Sequence, residues 1–90
     1  MQELTMQDFK ALVEKVAKLA DKEEYRYEMP FDGDPDYIIG LKCCLSELIF
    51  TDGKVAVYTD CVERWIEYQP RHFETLDDLA EDVWFEMSRA

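Results

Sequence analysis

The run Leu48-Ile49-Phe50-Thr51-Asp52-Gly53-Lys54-Val55-Ala56-Val57-Tyr58 carries an Asp-Gly pair between two apolar-rich arms. That is the strongest short hairpin signature, because a type I′ turn needs two positive φ angles and Asp-Gly supplies them at little cost. The two-residue turn fixes the register. Phe50 falls opposite Val55 and Leu48 opposite Val57, all on one face, while Ile49, Ala56 and Tyr58 share the other. One face is expected to meet helices. The second is less polar than a fully solvated face would be, which leaves homodimerisation open.

Outward from the hairpin, residues 5–22 predict a helix. Thr5 followed by Asp8 resembles a capping box with Asp in the usual Glu position. Phe9, Leu12, Val13, Val16, Leu19 and Ala20 make one buried stripe, and Lys10, Glu14, Lys15, Lys18 and Lys22 take the other side. Tyr25 to Phe31 alternates apolar and polar residues and predicts a strand, with Pro30 at its end or edge. Asp32-Gly33-Asp34-Pro35-Asp36 has the chemistry of a loop. Tyr37 to Leu45 fits a buried strand, although Asp34-Pro35 is also a fair helix start. Val62 to Tyr68 fits a strand with Val62, Arg64, Ile66 and Tyr68 on one side, or a short helix ended by Pro70. β-branched and aromatic content favours a strand in both. Thr75 opens a second helix with Asp77 and Asp78 in its first turn, running to about Arg89. The expected fold is a single α+β domain over residues 1–90. It has an N-terminal helix, an antiparallel meander of three or four strands and a C-terminal helix, in two layers.

Composition bounds what such a domain does. The chain has 90 residues, 21 acidic against 10 basic, for a formal charge of −11. Aromatic and β-branched residues are too frequent for a disordered acidic tail. The acidity opposes direct nucleic-acid binding, which needs a basic footprint, and suits a basic protein partner. The first residues lack a basic segment and an apolar stretch, so no secretory signal is expected, and no apolar run is long enough to span a membrane. Three cysteines, two of them adjacent at Cys43 and Cys44, fit a reduced, cytoplasmic protein rather than a disulfide scaffold. Cys43 and Cys44 sit in an apolar run and are expected to be buried and inert.

Chemistry finds little to work with. His72 is the single histidine and no CxxC spacing exists, so no zinc site is expected. Asp32, Asp34 and Asp36 resemble the opening of a calcium loop, but Tyr37 stands where that loop needs Gly and Cys43 where it needs Glu. No nucleophile motif, phosphate-cradling loop or cofactor motif is present. The chain is therefore expected to be non-enzymatic, without cofactor or metal.

The charge is unevenly placed. Residues 1–24 hold six acids and four bases, and residues 61–90 hold eight acids and three bases. Glu28 to Asp36 and Glu74 to Glu86 contain no basic residue at all. On the second helix Leu76, Leu79, Ala80, Val83 and Met87 form the apolar stripe. Asp77, Asp78, Glu81, Asp82 and Glu86 are expected on the other side, with Phe85 in their midst. Like charges at these spacings destabilise an isolated helix by a few tenths of a kcal/mol, roughly, per pair. An aromatic residue ringed by polar ones has the look of an interface anchor.

Length, charge, the helix–hairpin–helix order and the two lysine-free acidic stretches together resemble small acidic phage-encoded inhibitors, the anti-CRISPR and anti-restriction DNA-mimic proteins. The resemblance spans the whole chain and is compositional, with no family motif. It implies a protein that binds the DNA-reading surface of a nuclease, a Cas9-type CRISPR effector first, and blocks target recognition. The partner-binding candidates are Asp32, Asp34 and Asp36 in the loop, and Glu74, Asp77, Asp78, Glu81, Asp82, Glu86 and the anchor Phe85 on the helix. An immunity protein or antitoxin against a basic nuclease toxin would use the same physics. A small phage structural or assembly protein would need the acidity only to stay dissolved.

Overall fold

A computed structural model describes residues 2–89 of the chain. Helix α1 (Met6–Lys22) is followed by six strands: β1 (Tyr27–Glu28), β2 (Asp32–Asp34), β3 (Tyr37–Cys43), β4 (Ser46–Thr51), β5 (Lys54–Thr59) and β6 (Arg64–Tyr68). Helix α2 (Leu76–Ser88) closes the order. The strands form one antiparallel sheet, β1-β3-β4-β5-β6, with β2 also paired to β3. Both helices pack on the same side of it, so the molecule has two layers.

Each helix starts where its cap lies. The Thr5 hydroxyl accepts from the Asp8 backbone N–H at 3.1 Å, and the Asp8 carboxylate accepts from the Thr5 N–H at 3.1 Å, completing the capping box. Thr75 caps α2 through the Asp78 N–H, also at 3.1 Å. Each such cap stabilises its helix by about 1 kcal/mol. The β4–β5 hairpin has the expected register, with Phe50 opposite Val55 and Leu48 opposite Val57. Asp52 and Gly53 both take the positive φ that the turn requires, 50° and 73°.

The core lies between the helices and one sheet face. Phe9, Leu12, Val13 and Val16 of α1 and Leu79, Val83 and Met87 of α2 meet Leu41, Leu48, Val55 and Val57 of the sheet, all fully or almost fully buried. Phe9 stacks on Phe50 with centroids 5.0 Å apart. This close approach depends on Gly40. The register slips between Ile39 and Leu41, a bulge that sets Gly40 against α1. A Cβ on Gly40 would stand 2.6 Å from both the Phe9 ring and Val13, inside any tolerable contact.

Several expectations are corrected. The sheet has six strands rather than three or four, and the extra ones are short. Of residues 25–31 only Tyr27–Glu28 pairs, opposite Cys43 and Lys42. Asp32-Gly33-Asp34, expected as loop, is a strand paired with Ile39, Ile38 and Tyr37, and the turn is reduced to Pro35-Asp36. Residues 37–43 are strand, as the β-branched content favoured, and the helix alternative is set aside. The last strand begins at Arg64, because Asp60–Val62 forms a 3-10 turn that Glu63 ends in the left-handed region. Cys43 is buried as expected, but Cys44, expected to be buried with it, is exposed.

Candidate functional site

Helix α2 presents a solvent side centred on Phe85, which is 63% exposed. Asp78, Glu81 and Asp82 are exposed around it, and Glu74 is exposed just before the helix. Asp78 and Asp82 lie one turn apart, so they share one ridge with Cβ atoms about 5–6 Å from each other. The guanidinium of Arg89 lies 5.3 Å from the centre of the Phe85 ring and shields part of it.

The acids expected here divide into three environments. Glu86 is 7% exposed and belongs to the buried side, so it is removed from the candidate surface. It is held by Arg64 of β6 at 2.6 Å and by Arg89 at 3.7 Å. Its place follows from spacing: it stands three residues after Val83 and seven after Leu79, on the apolar stripe. Asp77 is exposed but bonded to Lys15 of α1 at 2.8 Å. Asp77 and Glu81 share with Lys15, Lys18 and Lys22 the groove between the two helices. The stretch lacks lysine in sequence, yet the lysine row of α1 lies beside it in space. Among the described residues, no Lys or Arg lies within ion-pair distance of Glu74, Asp78 or Asp82.

Asp32 and Asp34 do not join this surface. Their partners in register are Ile39 and Tyr37, whose side chains lie on the sheet face away from the helices. The loop acids and the helix acids thus occupy opposite layers of the molecule. Asp32 and Asp34 lie on an extended strand with Asp36 in the turn, and among the described residues no group of three or more His, Cys, Asp or Glu converges on a metal-sized space.

Behind the α2 ridge the contacts are structural. The Trp84 indole N–H donates to Glu23 at 3.0 Å, and Tyr25 meets the Trp84 ring edge-on at 5.1 Å, which ties the end of α1 to α2. The Tyr68 hydroxyl donates to the Asp82 carbonyl at 3.4 Å. Burial, then the charges of Glu86 and Asp82, push the Tyr68 phenol well above its ordinary range. Burial first, and then neighbouring Cys44, raise the Cys43 thiol to about 12, so it is not a nucleophile at neutral pH.

The residues that the charge pattern passed over are on the open sheet face. Tyr37 of β3 and Trp65 of β6 come together across two intervening strands, with ring centroids 6.3 Å apart and planes 25° from parallel. Their signal in the sequence was the second face of the hairpin, whose Ile49, Ala56 and Tyr58 already looked too apolar for solvent.

Comparisons of the chain with protein-family models, with curated proteins and with solved structures found no match. Among the described residues no helix is long and apolar enough to cross a membrane.

Proposed function

We propose that this protein is a non-enzymatic inhibitor that docks on the basic nucleic-acid-binding surface of a nuclease, a Cas9-type effector first, and blocks DNA recognition by acidic mimicry. The observation that carries the reading is the α2 ridge, where Phe85 stands 63% exposed among Asp78, Glu81 and Asp82. Enzymes that handle DNA present Arg and Lys to phosphates. Carboxylates one helical turn apart offer those donors an alternative partner, and the net charge of −11 steers the encounter. Phe85 supplies the apolar anchor that charge alone lacks. The mimic set is Glu74, Asp78 and Asp82, with Asp77 and Glu81 at its margin because the α1 lysines already attend them.

The test is a DNA-binding assay with a guide-loaded Cas9 and increasing amounts of the protein. Inhibition is expected, weakening as salt rises. The D78K/D82K double variant is expected to lose at least about tenfold in potency, and Phe85→Ala a similar amount. Inhibition indifferent to both changes would overturn the mimic. Inhibition of a basic nuclease toxin with none of Cas9 would move the same mechanism to the immunity-protein partner.

A further inference from the structure

The strands offer a second surface, independent of α2. On the face turned away from both helices, Ile49 and Ala56 are directly paired and fully buried, although the helical core does not include them. Their neighbours on that face are half-buried Ile39, paired directly with Ile49, half-buried Tyr58, and the Tyr37 and Trp65 rings, each about 40% exposed. With centroids 6.3 Å apart and planes 25° from parallel, the rings are offset rather than eclipsed, and both residues keep a large exposed area. Tyr58 flanks the pair, directly opposite Trp65 in the β5–β6 register.

The rim of this face is acidic. Register places Glu28, Asp32, Asp34, Glu47 and Glu67 on it. Lys42 and Lys54 are its strand cations, and Lys42 lies opposite both Glu28 and Glu47. The field of Glu47 is felt at the rings: after burial, it helps to raise the Tyr37 phenol, and it acts on Tyr58 as well, after burial and the charges of Asp60 and Glu63. Among the described residues no cation of the chain lies over Tyr37 or Trp65, in contrast to Phe85 under Arg89.

Aromatic faces inside a carboxylate rim select a cation that stacks. Guanidinium is planar, weakly hydrated and able to lie on a ring while its N–H groups reach carboxylates, whereas ammonium is compact and strongly hydrated. A second copy of this chain is a poor occupant, since it would press two acid-rimmed faces together on molecules that each carry −11. We propose that the open sheet face binds an arginine-bearing protein segment, with guanidinium groups stacked on the Tyr37–Trp65 pair and held at its edges by Glu47 and Glu67.

The experiment titrates the intact protein with a short Arg-Gly repeat peptide and with a Lys-Gly peptide of equal length. Calorimetry and tryptophan emission read the binding. Trp65 is the exposed reporter, since Trp84 is buried and hydrogen-bonded to Glu23. The arginine peptide is expected to bind several-fold tighter than the lysine peptide and to change the Trp65 emission. Trp65→Ala is expected to weaken it about tenfold. The E47Q/E67Q variant keeps the aromatic pair, so it tests the rim should Trp65→Ala unfold, and it is expected to weaken binding and flatten its salt dependence. The D78K/D82K variant is expected to keep the preference for the arginine peptide over the lysine peptide. Equal affinity for the two peptides, no measurable binding, or a loss confined to the α2 variant would each overturn the proposal. So would sedimentation showing a dimer that Trp65→Ala dissociates. The nuclease assay reads the α2 ridge alone, so either surface can fail without the other.

Discussion

The same strands build two unlike faces. Toward the helices, Leu41, Leu48, Val55 and Val57 are sealed under two helices whose own stripes supply seven large or medium apolar side chains at full burial. Away from them, Ile49 and Ala56 are just as buried, yet no helix lies over them and their neighbours are half-buried or exposed side chains such as Ile39, Tyr58, Tyr37 and Trp65. Strand alternation alone cannot produce this asymmetry, because it loads both faces with apolar residues. The difference comes from what each face is given as a cover. A face closed by helices is finished by folding, whereas a face that no helix covers retains apolar and aromatic area for a partner.

Neighbouring positions in β4 test the contrast most sharply. Leu48→Ala leaves a cavity under both helices and is expected to cost about 3–4 kcal/mol. Ile49→Ala, one residue on, is expected to cost about 2 kcal/mol, because the half-buried side chains around it can settle into the space. Urea denaturation of the two variants measures the difference, and equal losses would break the distinction between the faces. Next in size is Gly40→Ala. Its Cβ would collide with Phe9 and Val13 at 2.6 Å, and the overpacking is expected to cost about 2 kcal/mol. A neutral result would show that α1 can shift over β3 freely.

The smallest effect appears only in alkali. A group whose folded pKa is raised keeps the fold's stability intact below its unfolded pKa and withdraws it as pH rises through the folded value. For Cys43 that window runs from the ordinary 9.0 to about 12. Tyr37, Tyr58 and Tyr68 act in the same direction above their ordinary 10.0. The urea midpoint is therefore expected to hold up to about pH 9 and to fall between about pH 9 and pH 12. Cys43→Ala is expected to remove part of that fall from the helix-covered side, and Tyr58→Phe part of it from the open side.

Much of the fold was legible because local chemistry and tertiary packing agree. Asp52-Gly53 set the hairpin register, Thr5 and Thr75 marked both helix starts, and the stripe of α1 named its buried residues. Legibility failed where they disagree. Asp32-Gly33-Asp34 has turn composition, and pairing to β3 makes it a strand that its own residues would not choose. Glu86 sat at a stripe position, but its charge argued for solvent until Arg64 of β6 was brought to it. Asp77 looked unopposed because its cation, Lys15, is 62 residues away in the chain. The Tyr37–Trp65 pair needed four strands in register before it existed at all.

The pairing of α1 with α2 also orders events in time. The strands pair with near neighbours in sequence and form by short loop closures, but the helices are joined by contacts such as Trp84 to Glu23, 61 residues apart. Long-range contacts of this kind must close the largest loop before they return any stabilisation. During synthesis α1 and all six strands are made before Leu79, Val83, Trp84 and Met87 exist. Without α2 the sheet would show apolar residues on both faces. α2 thus serves as the latch of folding, and a chain released before residue 76 has an unfinished core and two sticky sides.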